Sequence, residues 1–261
     1  MIIWLASYPK SGNTWVRTLL TSLLHSEDGN CNFNNLSLIE QYPKKKHYEG
    51  LVKNFKDFNH IKHAWAISQD KINIDKKLKI IKTHHVNCKI DNYPFTNKSN
   101  TLGVIHIVRD PRNVITSVGN HFSMNIDESY NFMIDSNRIL TADKWGSDNF
   151  GISDVLGSWA DHYKSWNNIK FAPILIVKYE NLINDTKKSL IEIINFLQKF
   201  SDIKIDNKKI SKTIESCNFE NLRNMEKNEG FNEAAYSEKL NKKVNFFHLG
   251  KKNNWKNLLD Q

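Results

Sequence analysis

At 261 residues, with 39% hydrophobic side chains and seven tryptophans, the chain is sized for one large domain with a substantial core. Its 37 basic and 28 acidic residues leave a formal charge of +9, but the lysines are scattered, with short clusters only at Lys44–Lys46 and Lys242–Lys243, so no basic stripe marks a nucleic-acid face. Cys31, Cys88 and Cys217 form no CxxC pair, which argues against a disulfide frame or zinc site and for a reducing, cytoplasmic setting, and no apolar run is long enough to span a bilayer.

The apolar run at residues 2–6 is short enough for a buried strand and too short for a signal peptide. It meets a turn-forming segment, Ser7 to Asn13, and then an amphipathic helix over 14–25 with Val16, Leu19, Leu20, Leu23 and Leu24 at apolar positions. Strand, polar loop and helix in that order make an anion cradle, because the free N–H groups of the first helical turn and the helix dipole both favour negative charge. Lys10 adds a mobile cation, Ser11 and Thr14 add hydroxyl donors, and Gly12 lets the backbone approach closely. A nucleotide-triphosphate loop reads G-x-x-x-x-G-K-[ST]. Here the lysine precedes Ser-Gly and the first glycine is missing, so the architecture is similar and the chemistry differs.

Residues 27–75, rich in Asn, Lys and His, read as short helices and loops. Strands are expected at 78–82, 103–108 and 174–177. Asp110 as N-cap and Pro111 at the first helical position start a helix through Val114, Ile115 and Val118. Residues 124–150 show no pattern and read as a flexible insertion. Helices are expected at 154–166 and 185–200, the latter strongly periodic, and two shorter ones within 207–225.

Apolar strands alternating with amphipathic helices predict an α/β fold, with a central parallel sheet of four to five strands covered on both faces. Ligands of such sheets bind at the carboxyl ends of the strands. Those ends carry Lys10, Lys82 with His84, Arg109 and Tyr179. Positions two apart in a strand share a face, so Lys82 and His84 project together while Thr83 and His85 point away. A histidine titrating near neutrality suits proton abstraction, and the fork of Arg109 beside a capped helix suits a phosphate. Trp15 and Tyr179 are aromatic groups able to pack against a base or within the core, and His162 suits either core or pocket lining.

Taken in order, these motifs resemble the sulfotransferase family that uses 3′-phosphoadenosine 5′-phosphosulfate (PAPS). Tyr8 to Trp15 is similar to its YPKSGTTW loop, with Asn13 in place of a threonine. Lys82-Thr83-His84 resembles its K-T-H segment, and Arg109 followed eight residues later by Ser117 resembles its 3′-phosphate segment. Gly157 to His162 is similar to G-S-W-x-x-H, and Tyr179 to Leu182 to Y-E-D-L. The family's C-terminal R-K-G-x-x-G-D-W-K reads here His248-Leu249-Gly250-Lys251-Lys252-Asn253-Asn254-Trp255-Lys256, so the arginine and first lysine are replaced.

The resemblance implies a P-loop NTPase-like three-layer sandwich over a single domain, 1–261, with 27–75 and 124–150 as acceptor-side insertions. It implies His84 as general base, with Lys10 and Lys82 as catalytic cations. Lys10, Ser11, Gly12, Asn13, Thr14 and Trp15 would bind the phosphosulfate and base. Arg109 and Ser117 would bind the 3′-phosphate, Tyr179 would lie near the adenine, and His248, Gly250 and Lys251 would close over the nucleotide. The co-substrate is PAPS, the product adenosine 3′,5′-bisphosphate (PAP), and no metal is required. The acceptor would be a hydroxyl of a small alcohol, phenol, lipid or saccharide, with no nucleic-acid partner, no membrane span and the oligomeric state open. The competing readings are a nucleotide kinase-like phosphotransferase, which lacks the G-K-[ST] order here, and a non-catalytic anion- or nucleic-acid-binding protein.

Overall fold

The computed structural model describes residues 1–141, 152–237, 239 and 241–259. The first strand, β1 (Ile2–Ser7), is buried along its whole length and sits inside the sheet. β2 (Lys79–Thr83) pairs parallel on one side of it and β3 (Thr101–Val108) parallel on the other. Two outlying antiparallel strands, β4 (Ile139–Thr141) and β5 (Ser153–Val155), pair with Leu140 opposite Asp154. The last strand of the main sheet, β6 (Ile174–Lys178), lies parallel to β3, giving the order β2-β1-β3-β6. The sheet thus has four strands, the lower of the expected numbers.

Alternation along β1 divides the core in two, because successive strand side chains point to opposite faces. Ile3 and Leu5 pack with Val16, Leu19 and Leu20 of α1 (Asn13–His25). Ile2, Trp4 and Ala6 pack with Ile61 and Trp65 of α2 (Phe58–Ile72) on the other face. α3 (Pro111–Phe122) follows β3, with the Asp110 carboxylate accepting from Arg112 N and Pro111 in the first turn, as the sequence indicates. α4 (Ile126–Ile134) and α5 (Trp159–Asn167) come next, and Trp166 of α5 joins the Trp4 core. After β6 come α6 (Tyr179–Asn184) and α7 (Thr186–Leu197). Leu190, Ile193, Ile194 and Leu197 of α7 pack on the Ile3 side. α8 (Asn207–Ser216) and α9 (Phe219–Glu229) are the two late helices.

Three expectations are refined. The helix read at 154–166 begins only at Trp159, and 153–155 is a strand. Gly157 adopts φ +64°, and the Ser158 side chain accepts from Asp161 N, so helical geometry cannot start before the cap. The stretch 124–150 contains α4 and β4, and its remainder from residue 142 lies outside the described residues. The stretch 27–75 carries, besides short turns, the 15-residue α2.

Trp4 is fully buried, contacts the rings of Tyr42, Phe95 and Trp166, and donates from Nε1 to Thr101 Oγ1 at 3.1 Å. Trp4→Ala is expected to lower unfolding free energy by about 3–5 kcal/mol in denaturant titration, through the cavity it leaves and the lost hydrogen bond to Thr101, whose hydroxyl keeps Thr96 as partner.

Candidate active site

The loop between β1 and α1 is held open by its own side chains. Gly12 caps α1 at φ +103°, and a Cβ there would lie 2.5 Å from Tyr179 Cδ2. Asn13 turns inward, donating from Nδ2 to Leu5 O at 2.9 Å and Ser7 Oγ at 3.1 Å, which fastens the loop to the strand. Lys10 takes a left-handed backbone, φ 65°, uncommon outside glycine and characteristic of functional loops. Its ammonium has no hydrogen-bond partner among the described residues and sits 3.5 Å above the Phe246 ring. Burial and the neighbouring Lys82 bring Lys10 down to about 7, against the pull of Glu233.

The end of β2 supplies the second group. Lys82 is buried and His84 is half-buried; both line the same cavity as Lys10, while His85 stacks on Phe95 in the core. His84 Nδ1 lies 2.7 Å from Ser7 O. A carbonyl only accepts, so Nδ1 carries the proton and Nε2 keeps its lone pair. Burial and Lys82 push His84 down to about 3 despite that bond, so the ring is neutral at physiological pH but titrates well below the near-neutral range expected of a proton-abstracting histidine.

β3 and β6 supply the far side. Arg109 donates from Nη1 to Lys10 O at 3.0 Å and to Ser117 Oγ at 3.3 Å, with its guanidinium 4.2 Å from the Tyr179 ring centroid. Glu180 accepts from Asp110 N at 3.0 Å, which ties the end of β6 to the start of α3. Trp15 stands edge-on to Tyr179 and donates from Nε1 to Cys217 O. The C-terminal segment reaches this side through Asn253, which donates from Nδ2 to Ser117 Oγ and Asn113 O, both at 2.9 Å, and accepts from Thr116 at 2.7 Å.

Two carboxyls enter from segments without motifs. Glu233 accepts from Thr14 Oγ1 at 2.9 Å, pairs with buried Arg17, and lies 3.5 Å from Lys82 Nζ. Burial alone would raise it, but Lys82 and Arg17 hold it well below the carboxylate range. Asp154 is lifted by burial to about 7, with Lys82 opposing.

Lys10, Lys82, His84, Arg109, Tyr179, Asp154, Glu233 and Asn253 border one cavity of about 560 Å³, while Arg17, Glu180 and His85 do not. The sequence matches the sulfotransferase domain family over residues 2–261. The chain belongs to the sulfotransferase family. Sulfotransferase 1E1 of Mus musculus is 24% identical over 265 residues, 97% of this chain and 76% of that protein. Sulfotransferase 1E1 of Rattus norvegicus is 24% identical over 228 residues, covering 84% of this chain and 64% of its own length. Cytosolic sulfotransferase 13 of Arabidopsis thaliana is 25% identical over 231 residues, covering 87% of this chain and 63% of its own length. The chain therefore spans a little under two thirds of the rat and Arabidopsis relatives. Two crystal structures share the fold: mouse sulfotransferase SULT7A1 complexed with PAP, at TM-score 0.57, 18% identity and coverage of 99% of this chain and 78% of that one; and retinol dehydratase complexed with retinol and PAP, at TM-score 0.57, 19% identity and coverage of 99% and 76%. The P-loop NTPase-like sandwich expected from the sequence is the architecture of this sulfotransferase.

Of the residues singled out in the sequence, Lys10, Gly12, Asn13, Thr14, Trp15, Lys82, His84, Arg109, Ser117, Tyr179, His248, Gly250 and Lys251 all border the cavity. Ser11 does not; its buried hydroxyl faces a small void with Tyr8, His106 and His162. His162 is buried, edge-on to Tyr8, and does not border the main cavity. Among the described residues, no group of three or more His, Cys, Asp or Glu could hold a metal ion, and no helix is long and apolar enough to cross a membrane. Sequence reasoning gave no site role to Arg17, His121, Asp154, Glu233, Phe246 or Asn253, although His121 follows the 3′-phosphate segment and Asn253 lies in the C-terminal motif. Arg17 also left a signal: a charge within an otherwise apolar helix demands a buried partner.

Gly12→Ala is expected to lose PAP binding by 100-fold or more (about 3 kcal/mol) in calorimetry, because the methyl drives into Tyr179 and the left-handed cap is forfeited.

Proposed function

We propose that this sulfotransferase moves a sulfuryl group from PAPS to an acceptor hydroxyl by in-line attack, with His84 as general base. The observation that carries the reading is a neutral imidazole, its Nδ1 proton fixed on Ser7 O, bordering the same cavity as the partnerless ammonium of Lys10. PAPS supplies the activated sulfuryl group when bound, and the residues present fit it. The Lys10 ammonium and Arg109 Nε are buried donors with no acceptor among the described residues, and both side chains border the cavity. Lys10 and Lys82 would stabilise the oxygen on which negative charge grows, and His84 Nε2 would take the acceptor's proton. Arg109 and Ser117 would hold the 3′-phosphate, with Gly250, Lys251 and His248 closing from the C-terminal side. Trp15 and Tyr179 would border the base. Gln41 and Leu140, from the two irregular segments, border the cavity together with His84, which supports an acceptor-side role for both segments. The acceptor class is a hydroxyl compound, and the location is cytoplasmic, as the printed name of the Arabidopsis relative has it for that protein.

Sulfuryl transfer from radiolabelled PAPS to a panel of alcohols and phenols tests the reading, with Lys10→Ala and His84→Ala as controls. Transfer undiminished in both variants would remove these residues from the mechanism. Calorimetry adds a check from the lowered Lys10. At pH 8 its amine is mostly neutral in the free protein, so PAP binding is expected to take up about one proton there and far less at pH 6, read from the dependence of heat on buffer.

A further inference from the structure

We infer that Asp154 is a specificity-determining residue that gives this sulfotransferase a preference for hydroxyl acceptors bearing an ammonium group over neutral or anionic ones. The inference deepens the proposed function and rests on it. Strand order separates the two ends of the cavity: Lys82 and His84 come from β2 on one side of β1, Arg109 and Tyr179 from β3 and β6 on the other. β5 is fastened just beyond His84, where Val86 N donates to Val155 O at 2.8 Å. Asp154, the residue before Val155, therefore borders the cavity at the end of the general base, with Leu140 opposite it in register.

Its Oδ1 is buried and has no hydrogen-bond partner among the described residues. An unsatisfied carboxyl oxygen costs stability in a packed interior, yet this one belongs to a cavity wall, where a ligand can supply the missing donor. No described residue supplies it. Lys82, the cation that acts on Asp154, lies 3.5 Å from the Glu233 carboxylate. The cations of this end are thus already engaged: Lys82 and Arg17 both face the Glu233 carboxylate, which leaves Asp154 with no ion-pair partner within salt-bridge distance among the described residues. An anionic acceptor meets a carboxylate there, a neutral one leaves Oδ1 bare, and an ammonium completes it. Burial lifts Asp154 to about 7, so an entering cation also draws off its proton and gains a partner shielded from water.

The test compares three phenols with the same reacting hydroxyl: tyramine, p-cresol and 4-hydroxyphenylacetate. Each is titrated into the full-length protein saturated with PAP, so binding is read without turnover. Tyramine is expected to bind at least about tenfold tighter than p-cresol, with 4-hydroxyphenylacetate weakest. Asp154→Asn should bring tyramine to within about threefold of p-cresol, and Asp154→Leu should reverse the order, with PAP affinity unchanged in both. Equal or undetectable binding of the three phenols, or a tyramine preference that survives both substitutions, overturns the role of Asp154. Failure of PAP itself to bind overturns the reading of the site instead.

Discussion

His84→Ala is expected to lower kcat for sulfuryl transfer by about 10²–10⁴ while leaving PAP affinity within about twofold. The split follows from the geometry. The imidazole is attached to the strand end through Nδ1 and Ser7 O, and its free nitrogen lies on the side of the cavity away from Arg109 and Tyr179. A base at that position would act on the acceptor's proton and contribute little to holding the nucleotide. Because burial and Lys82 keep its pKa at about 3, the acid limb of the rate profile should not fall at the usual histidine pKa near 6.5. A normal acid limb at that pH that vanishes in His84→Ala would mean that the ring charges freely in the working enzyme. Lys10→Ala gives the complementary pattern: a loss of about 10²–10³ in kcat from the missing cation, together with weaker PAP binding.

The second large effect concerns Glu233. Its carboxylate takes the Thr14 hydroxyl and faces Lys82 and Arg17, so the cradle's cations already serve an anion that belongs to the chain. A phosphosulfate entering beside Thr14 meets like charge and must compete for the same donors. Glu233→Gln is expected to tighten PAP binding by about tenfold, about 1.4 kcal/mol, in calorimetry. The same change weakens the support of the buried Arg17 guanidinium and should lower unfolding free energy by about 2 kcal/mol in denaturant titration. Opposite signs for affinity and stability distinguish a competing carboxylate from a mere anchor. Weaker PAP binding would show that Glu233 positions Thr14 and Lys82 for the nucleotide.

Much of this arrangement is legible in the sequence wherever local periodicity and chemistry coincide. The change from a continuous apolar run to a helical repeat across Ser7 to Thr14 marks strand, loop and helix. The two-residue spacing of Lys82 and His84 places both on one face, and the Asp110-Pro111 start aims Arg109 at the mouth. What stays hidden is set by contacts that no local rule encodes. Thr14 meets Glu233 across 219 positions, and Ser117 meets Asn253 across 136. Glu233 lies in no patterned segment, and Asn253, though inside the C-terminal motif, stands where the family has a glycine. Asp154 reads as the first residue of a helix because the apolar spacing toward Trp166 is helical. Gly157 and Ser158 postpone the helix by a turn-forming geometry, and that leaves Asp154 on a strand beside the cavity. Ser11 shows the converse: a motif residue whose hydroxyl faces the interior while its neighbours border the mouth.

The two-faced burial of β1 bears on how the site works over time. Ile3 and Leu5 are committed to one core and Ile2, Trp4 and Ala6 to the other, so this strand cannot loosen without dissolving both. Its amides should exchange with deuterium only through whole-molecule unfolding, and the seat that begins at its end is as durable as the protein itself. The closing side is fastened differently, by Glu233, Asn253 and a few aromatic contacts, so its amides are expected to exchange through local opening, well ahead of those of β1.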